Sequence, residues 1–457
     1  MNIEKVKRYS LIEVVLFAIL VIGFLVANMV VKKRANVILS NPIPLFGSGL
    51  SVSMPANPGW EHTSEWQYEE SESRMTLVGQ FRHPSGRGGI EVYWRYLLST
   101  PQGTEKELLE QIAQNTGARV YDLDTIESNR PMTYARMLSV SAGQAEEFYL
   151  GVLRLDYNRS LELLVKSLGM NGYYEENLFK SLASSIRYQS PQQVSDGHAL
   201  IDMFLQDQSQ RLPAEKPIDD AFLIKDAVSG ANIGYYSAIQ SVYTGDEETL
   251  QRFEIHQFEY KSFELESALW FYPLKGNYHW QTNLSYVGMK KPQVYQIETD
   301  DNGMLSVKCN VKATKTFPAG QFFVPEPLLP ELAVRFLQSK NDGVIVDVLG
   351  ATGPLVPVYL EKISSEKAKK KFEKTDTVVR MVYLYTQNSY EELYFDKSRH
   401  LLGKFEQQPR RAGRMWERTS TEELEQLFQT DFQVSDNMTA CNWDRGRKIG
   451  LSTLNER

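Results

Sequence analysis

The pattern of apolar and polar positions divides the chain sharply. Residues 11–31 are apolar almost throughout, broken by Glu13 and Asn28 and bracketed by Lys5, Lys7, Arg8 before and Lys32, Lys33, Arg34 after. At about 1.5 Å of rise per residue, a helix of that length crosses a hydrocarbon core of about 30 Å. The run is long for a cleaved signal and is followed directly by basic residues, so the pattern predicts a retained single transmembrane helix. Glu13 falls near its cytoplasmic end, where a carboxylate reaches headgroups and basic partners. Both flanks carry three basic residues. The short N-terminus is therefore placed inside because the long remainder is the part translocated: a single-pass inner-membrane topology with extracytoplasmic domains.

Beyond the anchor (1–34), residues 35–49 contain Pro42, Pro44, Gly47 and Gly49 and read as a tether. From 50 to 188, short alternating stretches predict strands near 50–54, 75–82, 90–98, 120–126, 133–141, 147–156 and 160–169. In the third, Ile90, Val92, Trp94, Tyr96 and Leu98 share one face. Thr104 precedes a helix over 105–115 whose Leu108, Leu109, Ile112 and Ala113 recur at helical spacing before Gly117. A second helix over 174–186 turns Leu178, Phe179, Leu182 and Ile186 inward. Residues 189–217 read as a helical linker, with Ile201, Phe204 and Leu205 on one face.

Residues 218–432 are dominated by long antiparallel strands joined by hairpin turns such as 244–248 and 275–277, with a helix near Leu332, Ala333, Phe336 and Leu337. In the strand ending at Val311, the residues Leu305, Val307, Cys309 and Val311 alternate with Ser306, Lys308 and Asn310. Ser420 opens a last helix with a capping box, and the tail from 433 to 457 turns polar. The fold class expected is therefore α+β: a transmembrane helix, an α/β sandwich, then a curved antiparallel sheet with helices.

Composition narrows the partners. The formal net charge is −7, and the first 34 residues hold six basic against two acidic residues, so the remainder is more acidic still. A chain that acidic is poorly equipped to displace counterions from phosphates, which excludes nucleic acid. The six histidines have no HExxH or paired spacing, and Cys309 and Cys441 lie far apart, so neither metal nor cofactor is expected. No GxSxG elbow or phosphate-binding glycine motif occurs, and no catalytic residue is assigned. The glycine-rich stretch 85–89 reads as a hairpin turn. The acidic loop at Asp300 and Asn302 has Cys309 where a calcium loop needs its glutamate, and also reads as a turn.

Three resemblances follow from particular residues. Leu50-Ser51-Val52-Ser53-Met54-Pro55, Gly59-Trp60, the mid-domain helix and Leu178-Phe179-Lys180-Ser181-Leu182 resemble the PsbP/Mog1-type fold, which implies a non-enzymatic, protein-binding domain over 50–188. The run from Phe322 to Pro330, the helix after it and Glu392-Leu393-Tyr394-Phe395-Asp396 resemble the LolA/LolB-like half-barrel. That resemblance implies a concave apolar face over 218–432, holding a lipid, an acyl chain or a lipoprotein. Arg8-Tyr9-Ser10-Leu11-Ile12-Glu13 resembles the start of type IV prepilins, with Arg8 at the place of the leader glycine. It implies an assembly role for Glu13.

These readings lead to a membrane-anchored binding protein that captures an apolar ligand, a lipid, a lipoprotein or another envelope protein. Val307, Cys309, Val311, Leu332 and Phe336 are its candidate ligand-binding residues, with plain core as their other reading. A structural subunit of a pilus- or secretion-like assembly, and an enzyme whose site forms only in three dimensions, are the alternatives.

Overall fold

The computed structural model describes residues 15–24 and 37–428, apart from 46–47, 57–59, 70–73, 83–89, 99, 101–102, 142–143, 168–171, 212–217, 245–247, 259–262, 273–274, 301, 319–321, 364–365, 367–370, 386–388 and 408–412. Residues 15–24 are helical and exposed along their length. No helix among the described residues is long and apolar enough to cross a membrane. The rest of the 11–31 stretch lies outside the described residues, as do Glu13, the 85–89 turn, Cys441 and the tail.

Most of the described chain is β-sheet, with a few helices. Three short strands make a separate sheet: β1 (Ile43–Leu45) and β2 (Leu50–Val52), with β10 (Arg187–Tyr188) on the other side of β2. The proline-containing segment expected as a tether thus carries a strand, because Leu45, Leu50 and Val52 bury together. Ser48 closes the turn between them, donating to the Leu45 carbonyl at 2.7 Å.

The first large sheet contains β3 (Glu61–Glu69), β4 (Arg74–Arg82), β5 (Ile90–Leu97), β6 (Arg119–Ile126), β7 (Met132–Ser141), β8 (Gln144–Arg154) and β9 (Ser160–Ser167). All pair antiparallel in the order β3-β4-β5-β9-β8-β7-β6. Helix α1 (Glu105–Thr116) is started by Thr104 and Glu107, each side chain accepting from the other's backbone N–H, and is stopped by Gly117 at φ 66°. Leu108, Leu109 and Ala113 of α1 pack on Ala135, Met137, Leu150 and Val152. The intervening residues Tyr134 and Tyr149 face Phe179 of α2 (Gly172–Ser185) on the other side. Successive strand residues point to opposite faces, so the two helices cover opposite faces of β7 and β8.

Helix α3 (Gln192–Arg211) then leads into the second large sheet. Its strands are β11 (Ile218–Asp226), β12 (Asn232–Thr244), β13 (Glu248–Phe258), β14 (Phe263–Tyr272), β15 (Asn277–Tyr286), β16 (Gln293–Thr299), β17 (Met304–Cys309) and β18 (Lys312–Pro318). After β19 (Phe323–Pro325) and helix α4 (Leu329–Gln338) come β20 (Gly343–Leu349), β21 (Leu355–Ile363), β22 (Thr377–Tyr383), β23 (Tyr390–Phe395), β24 (Leu401–Gln407) and β25 (Arg414–Thr419), then α5 (Thr421–Phe428). Neighbouring strands pair antiparallel along β11 to β18 and along β20 to β25, and β19 runs parallel to β20. β25 pairs with β11 and joins the two runs into one sheet.

That sheet curls until its two arms meet. Thr282 of β15 donates to the Ala351 carbonyl beyond β20, and Gly353, at φ 93°, lies against Val307 of β17. One buried cluster runs through both sheets, from Trp94 and Tyr96 to Trp280, Phe336 and Leu393. α3 lies tight on β20, since a Cβ at Gly197 would come 1.9 Å from the Ile345 carbonyl oxygen. Between the sheets, Arg159 places both oxygens of Asp347 at 3.0 Å from Nη2 and donates through Nη1 to the Tyr96 hydroxyl at 2.8 Å. The Asp300 turn is a hairpin, its carboxylate accepting from the N–H groups of Asn302 and Met304.

Candidate functional site

Period-two alternation gives each strand of the curled sheet an inner and an outer face. On β13 the inner residues are Arg252, Glu254 and His256, on β23 Glu391 and Leu393, on β24 Lys404 and Glu406, and on β11 Asp220 and Phe222. These face one another across a cavity of about 150 Å³, with Tyr236, Trp280, Met381, Tyr383 and Trp416 as walls and Glu326 at the end nearest α4. The interior is charged and aromatic.

Two clusters order its charges. In the first, Arg252 is 2 % exposed and spends its guanidinium on four acceptors. Nε reaches Glu254 at 2.8 Å, Nη1 reaches Glu331 at 2.7 Å and Gln240 at 3.0 Å, and Nη2 reaches the Tyr236 hydroxyl at 3.0 Å. The Tyr236 hydroxyl in turn donates to Glu254 at 2.5 Å. Burial pushes the Glu331 carboxyl up and Arg252 partly restrains it. In the second cluster, Lys404 lies between Glu391 at 2.8 Å and Glu406 at 2.7 Å, its ammonium 4.0 Å over the Trp416 ring. Burial opposes the charge on Lys404, but the two carboxylates overcome it and hold the ammonium above its usual range. Tyr383 donates to Glu391 at 3.0 Å.

Two groups stand apart. His256 is held neutral, its pKa pushed well down by burial and then by Lys404 and Arg414, and its Nε2 has no hydrogen-bond partner. Glu326 comes from the short turn Glu326–Leu328 fixed by Pro325 and Pro327. Its side chain is exposed, and it is without a hydrogen-bonded or ion-paired partner among the described residues.

Comparisons with known proteins give a partial likeness. No protein-family model and no curated protein matches the chain. Among solved structures, the cyanobacterial PsbP of Synechocystis sp. is similar at 13% identity, over 34% of this chain and 94% of that one, with a TM-score of 0.26. A β-barrel-like protein of a domain of unknown function from Brucella abortus is similar at 9% identity, over 45% of this chain and 96% of that one, with a TM-score of 0.32. A protein from Bacteroides thetaiotaomicron is similar at 11% identity, over 37% of this chain and 60% of that one, with a TM-score of 0.22.

The residues singled out from the alternation and helix patterns lie elsewhere. Leu332 and Phe336 are fully buried in α4, and Val307 is 4 % exposed in the same core. Cys309 is half-buried and Val311 is 61 % exposed in the turn between β17 and β18. None of the five lines the cavity. The signal that could have found the cavity is the alternation of Arg252, Glu254 and His256 with Phe253 and Ile255 in β13. No serine, threonine or cysteine is among the described residues that line the cavity. No group of His, Cys, Asp and Glu among the described residues is arranged to hold a metal ion.

Proposed function

We propose that this chain is a non-enzymatic binding protein, held at the inner membrane by residues 11–31 with its sheets on the extracytoplasmic side, whose barrel interior takes up a small polar ligand. The observation that supports this reading is the cavity itself. It is about 150 Å³ and is edged by ion pairs and aromatic rings. An apolar cavity of that volume admits a molecule about the size of benzene. A lipid acyl chain is too long for it and would strip water from Glu254, Glu326 and Glu391 without giving a hydrogen bond back. A polar molecule of about six heavy atoms avoids that cost.

The test is thermal stabilisation of the full chain in lipid nanodiscs against a panel of small polar compounds, beside a Leu393→Trp variant that fills the cavity. The expected result is a saturable upward shift in the wild type that the variant loses. Equal shifts in both proteins, or none from any compound, would refute the reading. Protease accessibility of the sheets from outside spheroplasts tests the topology; protection there would overturn it.

A further inference from the structure

We propose that one end of the curled sheet rests on an anionic lipid bilayer, entering its headgroup layer with the turn over residues 286–291 and with Val311. This contact is independent of the cavity.

Strand direction sorts the turns of the sheet into two ends. With antiparallel pairing from β11 to β18, the turns 227–231, 287–292 and 310–311 lie at one end, and 275–276 and 300–303 at the other. Pairing through β25, β24 and β23 puts the turn 396–400 at that second end. At the first end Val228 is 84 % exposed, Val287 74 % and Val311 61 %, and Tyr286 and Met289 are exposed as well. Among the described residues, the turns at the second end expose no large apolar side chain and carry Asp300, Asn302, Lys397 and Arg399 instead.

Hydrogen bonds hold the apolar turns in place. Met289 donates its backbone N–H to the Tyr286 carbonyl at 3.0 Å, and Gly288, at φ 89°, lets the chain reverse with Val287 at the tip. Asn310 ties the neighbouring turn to this one. Its Nδ2 donates to the Pro292 carbonyl and its Oδ1 accepts from the Val294 N–H, both at 3.0 Å. The two turns therefore present their apolar side chains as one group.

Charge says what covers them. Lys290 and Lys291 continue the same turn, both exposed and without an ion-paired or hydrogen-bonded partner among the described residues, in a chain of net charge −7. Asp226, the acidic group beside the 227–231 turn, is turned onto its own backbone, accepting from the Val228 and Ser229 N–H groups. Lysines flanking an apolar tip match a bilayer boundary, where their stems lie along acyl chains and their ammonium groups reach lipid phosphates. Protein interfaces, by contrast, are depleted in lysine. Val228 stands four strands from Val287, about 20 Å along the rim, and a bilayer plane reaches both.

The experiment is NMR of isotope-labelled methionine methyl groups in the full chain, held in nanodiscs of phosphatidylcholine with or without phosphatidylglycerol. The Met289 signal is identified by its loss in Met289→Leu. A lipid with a nitroxide near its headgroup is placed in the disc in one sample and in added vesicles of the same composition in another. Met289 is expected to broaden about threefold more with phosphatidylglycerol than without, and the buried Met137 and Met381 are expected not to broaden. Lys290→Glu with Lys291→Glu, and separately Val287→Asp, should remove the difference, with unchanged Met137 and Met381 signals verifying the fold. Equal broadening with and without phosphatidylglycerol, or broadening retained in the double lysine variant, would overturn the anionic bilayer. No broadening of Met289 from either nitroxide would overturn the contact altogether. A Met289 shift that follows chain concentration, and not lipid, would give this end to a second copy and likewise overturn the proposal.

Discussion

Replacing Asp347 by alanine tests how the two large sheets are held together. Asp347 lies on β20 in the second sheet, and its partner Arg159 follows a turn of the first sheet in which Tyr157 and Asn158 both take left-handed φ values, 60° and 57°. Both charges are buried, with side-chain exposures of 3% for Arg159 and 10% for Asp347. The contact is close, with both carboxylate oxygens 3.0 Å from Nη2, and Tyr96 takes one further donor. Asp347→Ala leaves a guanidinium in the core with only the Tyr96 hydroxyl, and breaking a buried pair in this way costs about 3–5 kcal/mol. Exchanging both partners for apolar residues, Arg159→Met with Asp347→Leu, removes the stranded charge and should recover most of that loss. The assay is equilibrium urea unfolding followed by tryptophan fluorescence, since Trp94 in the first large sheet and Trp280 in the curled sheet report on both. A single-variant cost below about 1 kcal/mol, the worth of an exposed pair, would refute the reasoning, as would a double variant no more stable than the single.

Two further outcomes follow from the same interface. His198 of α3 is packed between Tyr157 and Phe322, ring centroids 4.2 and 4.6 Å away, and burial lowers its pKa to about 4, with Asp347 raising and Arg159 lowering it. The unfolded chain takes up the proton first, so the stabilisation is whole above about pH 6.5 and is lost as pH falls toward 4, by about 3 kcal/mol over the window; His198→Leu should flatten that part of the stability profile, and an unchanged slope would exclude His198 as its source. Gly197→Val places a side chain on the Ile345 carbonyl oxygen and should cost about 3 kcal/mol through displacement of α3 from β20; a melting temperature equal to that of the wild type would show that α3 is not seated there.

Local signals were read well where chemistry is local. Thr104, Glu107 and Gly117 mark the ends of α1 because a capping box and a left-handed stop need only neighbouring residues. The hairpin turn at Asp300 is equally local, a carboxylate satisfying two backbone donors. The prolines at 42 and 44 misled, because pairing of β1 with β2 depends on Leu50 and Val52 reaching the same core. Val307 and Phe336 are buried in the core and do not line the cavity.

The sequence by itself determined the helix caps, the strand periodicity, the acidic balance of the chain and the apolar run at 11–31. Only the tertiary structure decided which face of β13, β23 and β24 is the inside. Alternation fixes that successive residues point opposite ways, but not which way holds water, and a curled sheet can carry polar residues on its inner face when the charges there find partners. Arg252 and Lys404 find theirs in residues from other strands and from α4, distant along the chain.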